Sequence, residues 1–290
     1  MPSLKSQFKN DFNQMFKYNT PKHTATPEER KSTIYSKTTR DNYIQCTNRF
    51  VDYLRNNNIK VHTKADAVKY VPAYLRNQIG DPNRSAWSVH QSASALAKAY
   101  GCKSSDFGVN LPKRAAADIR RGRTETPYAK HFSEAKHSDV VNFCKSTGLR
   151  RNELEHIKPS DVVKDKNGNY IVKVPGTYAK GGRDRSVLVY NADSKIMQSA
   201  IKTIEKAKTE GREHIIGKVS KACVPHNYRS DYAKSLYSKY ERPIDTLKPS
   251  EIYQCRKGNY NAYDKQAVDK VTQALGHNRL NVTVTNYLNK

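Results

Sequence analysis

Apolar side chains recur at helical spacing through the first hundred residues, and the period falls to two after Pro159. Phe8, Phe12 and Phe16 stand four residues apart, which puts all three on one face of a short helix. Tyr43, Phe50, Val51 and Leu54 mark a helix between Ser36 and Asn57. Ala67, Val68, Val71 and Leu75 mark another, from Ala65 to Gln78, which Gly80-Asp81-Pro82 ends. Trp87, Val89, Ala93, Leu96 and Ala97 define one more, from Ser85 to Tyr100. These stretches predict a small all-helical domain with Lys and Arg on its polar faces. The phenylalanine stripe has two candidate docks, the chain's own core, which is favoured, and a neighbouring subunit.

Beyond a basic stretch from 103 to 127 the pattern predicts a helix near Ser133 to Lys145, with Gly148 as its C-cap glycine. A second helix should carry Arg150 to His156. Val162-Val163 and then Tyr170, Val172 and Val174 alternate around Lys166-Asn167-Gly168-Asn169, the signature of a hairpin with an Asn-Gly turn. A third strand is expected from Ser186 to Tyr190, after Gly181-Gly182. Helices resume from Ile196, and Ala267, Val268, Val271, Ala274 and Leu275 share a face of the last. The expected fold is mainly α with a small antiparallel sheet. Its parts are a basic N-terminal arm over 1–31, a helical domain over 32–122 and a mixed α/β domain over 123–290.

Charge narrows the partner. The 290 residues hold 52 Lys and Arg against 27 Asp and Glu, a net charge of +25, which marks a protein for a polyanion. Releasing counterions from double-stranded DNA would drive its binding, so nucleic acid is the favoured partner. Lys113, Arg114, Arg120, Arg121 and Arg123 lie in the basic stretch, which reads equally as a solvated linker and as a track for phosphates. Cys46, Cys102, Cys144, Cys223 and Cys255 are odd in number and never form a CxxC pair, which points away from a disulfide framework and a zinc site. No apolar run is long enough to span a membrane, and the first residues lack a signal peptide's apolar core. A cytoplasmic location is expected.

Single motifs carry little. An HxxR such as His226-Asn227-Tyr228-Arg229 arises often by chance, a lysine in a Gly-rich turn is normally solvated, and the chain has 19 tyrosines. Their order says more. Thr147-Gly148-Leu149-Arg150-Arg151-Asn152-Glu153-Leu154 closely resembles the first arginine box of the tyrosine recombinases (the phage integrase, Cre/Xer-type family). Lys180, in Ala179-Lys180-Gly181-Gly182-Arg183, resembles that family's hairpin lysine. His226-Asn227-Tyr228-Arg229 resembles its HxxR box and Leu275-Gly276-His277 its LGH box, and Tyr287 stands where the family has its nucleophile. The resemblance covers about residues 130 to 290.

What the resemblance implies is a helical core-binding domain and a catalytic domain that clamp duplex DNA from opposite sides. Tyr287 would attack a phosphodiester to leave a 3′-phosphotyrosyl link. Arg150 and Arg229 would offer paired donors to the phosphate oxygens, His277 another hydrogen bond, His226 a seat for the tyrosine's proton, and Lys180 a proton for the departing 5′ hydroxyl. Glu153 would orient its neighbours by a hydrogen bond. Arg151 adjoins Arg150 and is read as a DNA-backbone contact or a surface charge. The link keeps the phosphoester energy, so no cofactor, neither ATP nor metal, is called for.

The implied function is site-specific DNA recombination or integration for a mobile genetic element. Four protomers would synapse two attachment sites, with DNA-bending accessory proteins as candidate partners, in the nucleoid of a prokaryotic cell. Two other readings stay open: a topoisomerase IB-like or resolvase nicking-closing activity, and a catalytically silent architectural DNA-binding protein. Two departures stand out. About fifty residues separate His226 from His277, with an extra segment from Tyr240 to Tyr263 that suits either an ordered surface insertion or a DNA-contacting loop. Only Leu288, Asn289 and Lys290 follow Tyr287, which makes the phenylalanine stripe a candidate assembly surface.

Overall fold

The computed structural model describes residues 2–18, 20, 24–115, 132–255 and 261–288, and the chain divides into two compact units, Met1–Arg120 and Arg121–Lys290. The first unit is helical: α1 (Leu4–Met15), α2 (Pro27–Ser32), α3 (Lys37–Asn56), α4 (Lys64–Ala67), α5 (Val71–Gly80) and α6 (Ala86–Tyr100). Side chains at the N-caps start several of these helices. Ser85 accepts from the Ser88 amide, and Thr26 and Glu29 form a capping box ahead of α2.

The stripe on α1 is used inside this unit. Phe8 and Phe12 are fully buried with Phe50, Leu54, Leu75 and Leu96. The Phe8 ring meets Tyr100 edge-on at 5.9 Å and Phe50 at 6.4 Å. The following segment is held as well. Ile34 N–H donates to Met15 O at 2.8 Å, and Lys98 Nζ donates to the carbonyls of Arg30 (3.0 Å) and Thr33 (3.1 Å). Within the stretch expected as an arm, α1 is therefore packed through Leu4, Phe8 and Phe12 while α2 buries no residue, and the buried part of the stripe is not open to a neighbouring subunit.

The helix expected from Ala65 to Gln78 is broken. A 3-10 turn over Val68–Tyr70 precedes α5, whose first turn holds Pro72, a residue that cannot donate to a preceding turn. The break shifts the helical phase, so Tyr74 is buried while Val68 is 36% exposed. Trp87, expected on the inner face of α6, is 37% exposed. Phe107 is buried and His90 Nε2 lies 3.0 Å from Pro112 O, so the basic stretch is packed onto the first unit as far as Pro112. Lys113 and Arg114 are exposed beyond it.

The second unit holds α7 (Ser138–Thr147), α8 (Arg151–His156), β1 (Val162–Lys164), β2 (Tyr170–Val174), β3 (Arg185–Leu188), α9 (Ser194–Thr209), α10 (Pro225–Tyr240), β4 (Ile252–Gln254), β5 (Ala262–Asp264), α11 (Lys265–Ala274) and α12 (Leu280–Thr283). A π-helical turn, Val284–Leu288, follows α12. The strands form two antiparallel sheets, β1-β2-β3 and β4-β5, which agrees with a mainly helical fold carrying little sheet. Pairing of Val172 with Val187 and of Val174 with Arg185 fixes the register of β2 and β3. The β1–β2 connection is wider than a two-residue turn: Asp165 Oδ1 accepts from the amides of Asn167 (2.8 Å) and Asn169 (2.9 Å). Val172, Val187, Leu149, Leu154, Phe143, Ile204, Tyr232 and Leu236 share one core.

The segment between α10 and α11 is pinned by ion pairs in its described part. Arg242 donates through Nε and Nη2 to Asp264 (2.8 and 2.9 Å) and through Nη1 to Glu251 (2.8 Å). Asp264 also caps α11 through the Gln266 amide. Its hydrogen bond with Arg242 outweighs burial and holds its carboxyl at about 2. Arg256-Lys257-Gly258 lies outside the described residues.

Candidate active site

Two glycine turns build the site. The first ends α7 at Gly148, whose φ of 56° is the left-handed conformation that favours glycine, and a Cβ there would run into the ring of Tyr232. The second ends α11 at Gly276, φ 64°. There the Gly276 N–H bonds Gln273 O and the His277 N–H bonds Thr272 O, both at 2.9 Å, the paired closure of a Schellman cap. This leaves the carbonyls of Ala274 and Leu275 pointing out of the helix end, which carries partial negative charge.

Cations gather there. Arg150 is the N-cap of α8 rather than a residue within it. Its N–H donates to Glu153 Oε2 at 2.7 Å, its Nη1 to Glu153 Oε1 at 3.0 Å and its Nη2 to Leu275 O at 3.1 Å. Arg229, on α10, donates through Nη2 to the same Leu275 O and through Nη1 to Gly148 O. Three sequence boxes thus meet at one carbonyl oxygen.

Glu153 is fully buried. Burial alone would raise its carboxyl, but hydrogen bonds and charge from Arg185, then Arg150, hold it at about 2. Burial, aided by the neighbouring Arg150 charge, lowers Arg229 to about 10, so it stays protonated at neutral pH.

Tyr287 lies over this cluster. Its ring covers Arg229, with the guanidinium carbon 5.6 Å from the ring centroid, and is itself only 3% exposed. The hydroxyl is 3.3 Å from His226 Nε2, so an unprotonated Nε2 would accept the phenol's proton. His277 tilts against the ring with centroids 5.5 Å apart. Burial first, then Arg229, Arg150, Arg185 and His226, lowers the His277 imidazole to about 3, which leaves it neutral. Buried polar atoms rarely lack partners. Two that do, Arg229 Nε and His277 Nε2, belong to this cluster.

Comparison with solved structures places this architecture. The XerH site-specific recombinase bound to palindromic difH substrate, a post-cleavage complex, aligns over 98% of this chain and 90% of its own, with a TM-score of 0.53 and 12% identity. The XerH pre-cleavage complex with difH aligns over 98% and 91%, with a TM-score of 0.50 and 12% identity. The chain has the tyrosine recombinase fold. The Tn1549 transposon integrase in complex with circular intermediate DNA aligns over 99% of this chain and 95% of its own, with a TM-score of 0.44 and 11% identity. No protein-family model and no curated protein matches the sequence.

Within this recombinase fold the structure brings together Arg150, Glu153, His226, Arg229, His277 and Tyr287. Lys180 stands apart: it is exposed in the turn between β2 and β3, and no hydrogen bond or ion pair among the described contacts joins it to the other six. The turn itself is anchored, because Asn152 Nδ2 donates to Tyr178 O at 2.8 Å and Asp184 Oδ1 accepts from Gly176 N at 2.5 Å. Arg151 lies at the surface, with 37% of its side chain exposed. Its guanidinium binds the carbonyls of Val219 (2.8 Å), Ser220 (3.1 Å) and Cys223, tying down the loop that leads into α10. Arg120, Arg121 and Arg123 lie outside the described residues.

Two residues went unread in the sequence. Arg185 donates to both oxygens of Glu153, and Ser230 Oγ donates to the Tyr287 carbonyl at 2.8 Å, joining the π turn to α10. Arg185 carried a signal, since it shares strand parity with the buried Val187 and Val189. Ser230 carried none.

Proposed function

We propose that this chain is a site-specific DNA recombinase of the tyrosine class. The observation that carries the reading is the meeting of Arg150 and Arg229 on Leu275 O, beneath a tyrosine whose hydroxyl is 3.3 Å from His226. The Tyr287 oxygen attacks phosphorus, the bond to the 5′ oxygen breaks, and a 3′-phosphotyrosyl link and a 5′ hydroxyl result. His226 takes the phenol's proton, and Lys180, on its exposed turn, gives one to the leaving oxygen. The negative charge that grows on the non-bridging oxygens is met by guanidinium N–H groups. Each guanidinium has five N–H donors, and the contacts above occupy two of those on Arg150's and two on Arg229's side chain.

Arg229 is fully buried, so phosphate reaches it only when the Tyr287 ring moves aside. The neutral His277 adds one N–H. A partner strand's 5′ hydroxyl reverses the step, so the exchange conserves phosphoester energy and draws on neither ATP nor metal. Two duplex attachment sites and four protomers suit such an exchange. With the α1 stripe buried, the protomers join through another surface.

The test is a nicked suicide duplex carrying the attachment site, with the short fragment that bears the released 5′ hydroxyl free to diffuse away. The wild-type protein should form a covalent adduct that survives denaturant, and Tyr287→Phe should form none. Absence of an adduct on a verified site would falsify the enzymatic reading, and relaxation of plasmids lacking any site would favour a nicking-closing enzyme. DNA affinity should fall steeply between about 50 and 200 mM salt, as phosphate-dominated binding does.

A further inference from the structure

β3 opens on a buried cation. The Arg185 side chain is 7% exposed, and its guanidinium donates through Nη1 to Glu153 Oε1 (2.9 Å), through Nη2 to Glu153 Oε2 (2.6 Å) and through Nε to Ala274 O (3.0 Å). Its Cδ lies 3.0 Å from where a Cβ on Gly276 would stand, so its stem packs against the turn that presents His277. Glu153 passes the constraint on, because the same two oxygens accept from the Arg150 amide and Nη1. A continuous path runs from Arg185 through Glu153 to Arg150. Its two ends hold successive carbonyls, Ala274 and Leu275, at the end of α11.

We propose that Arg185 is a positioning residue for DNA cleavage: it locks Glu153 so that Arg150 faces the phosphate, and it braces the turn that carries His277. The proposal rests on the recombinase reading of this site. A planar guanidinium grips both carboxylate oxygens and the carbonyl at once, whereas a lysine ammonium supplies the charge without the fork. The cations facing Glu153 are Arg150 beside α8, Arg185 on β3 and Arg229 on α10. Arg185 stands first among the groups that lower the Glu153 carboxyl against its burial. Weakening that grip raises the pH at which Glu153 takes up a proton and releases Arg150.

Single-turnover adduct formation on the suicide duplex, followed across pH, tests this with Arg185→Lys, Arg185→Met and Glu153→Gln. Arg185→Lys should fold, bind the duplex within about threefold of wild type, and form adduct roughly tenfold or more slowly, the scale of loss expected from a misaligned donor. The acid limb of its rate profile should move to higher pH, and that displacement should vanish when Glu153→Gln is added. Wild-type rates in both Arg185 variants would overturn the proposal, as would slower rates with an unmoved acid limb, the mark of a merely structural loss.

Acid unfolding of the same proteins without DNA reads the coupling on its own. Wild type should lose the stability that ionised Glu153 contributes progressively as pH falls from the unfolded carboxylate range to about 2, and Arg185→Met should show a smaller loss that is complete at higher pH. Identical acid unfolding would overturn the coupling. A wild type that forms no adduct sinks the recombinase reading and this role with it. Full-speed Arg185 variants sink this role alone.

Discussion

The two units are held together by different physics. Among the described residues, the buried charged side chains of Glu153, Arg185, Arg229 and Asp264 belong to the second unit. The first buries Phe8, Phe12, Phe50, Leu54, Leu75 and Leu96, with Thr47, Gln78 and Ser92 among its few interior polar groups. Apolar burial yields roughly 25 cal/mol per Å², whereas each buried ion costs several kcal/mol that pairing must offset. The second unit offsets much of this with the fork between Arg185 and Glu153 and with the carbonyls at the end of α11. It leaves Arg229 Nε and His277 Nε2 without partners. The difference teaches where to look for chemistry: both units bury partnerless polar atoms, Arg49 Nε, Gln78 Oε1 and Ser92 Oγ in the first, but only in the second do such atoms lie among buried ions and beside the Tyr287 ring.

That contrast can be broken by substitution. The largest stability loss should come from Phe12→Ala, about 3–5 kcal/mol by cavity formation in a packed core, measured by urea unfolding, with the rate of adduct formation on saturating DNA unchanged. Arg150→Ala should do the reverse. Cleavage should fall about 100- to 1,000-fold, while DNA affinity and melting temperature move little, because Arg150 sits at the margin of the charge cluster with 18% of its side chain exposed. A variant that fails to bind DNA at all would show that Arg150 does not act on the transition state.

Gly148→Ala should cost about 1–3 kcal/mol in the same unfolding assay, from overpacking against Tyr232. The smallest effect at neutral pH is electrostatic. Glu153 and Asp264 have carboxyls depressed to about 2 in the folded state. Their contribution is fully present above the unfolded carboxylate range and is lost as pH falls toward 2. Thermal unfolding from pH 6 to 2 should show this loss in wild type. Glu153→Gln should flatten only its own share.

Local features of the site were legible in the sequence. Gly148 read correctly as a helix-ending glycine, and the phenylalanine stripe on α1 as core. A Schellman cap and a capping box are short-range events that a few residues specify. The meeting of Arg150 with Leu275, 125 positions away, depends on how α8 and α11 pack, so only the likeness of the motifs pointed to it. Arg185 and Arg151 show the limit from the other side. Strand parity could have turned Arg185 inward, but nothing local says that its partner is Glu153, or that Arg151 binds three carbonyls of a distant loop. Val68 and Trp87 mislead for a simpler reason. Helical spacing names a face, and Pro72 and the packing of neighbours decide which face is covered.

The central claim is that one tyrosine of 19 makes the covalent bond. Its most direct test is mass spectrometry of the denatured, nuclease-trimmed adduct after trypsin digestion. Cutting after Arg279 releases residues 280–290, whose single tyrosine is Tyr287. A nucleotide remnant on that peptide, fragmenting at Tyr287, is the predicted result. A remnant on any other tyrosine, or on a residue that is not tyrosine, would contradict the account.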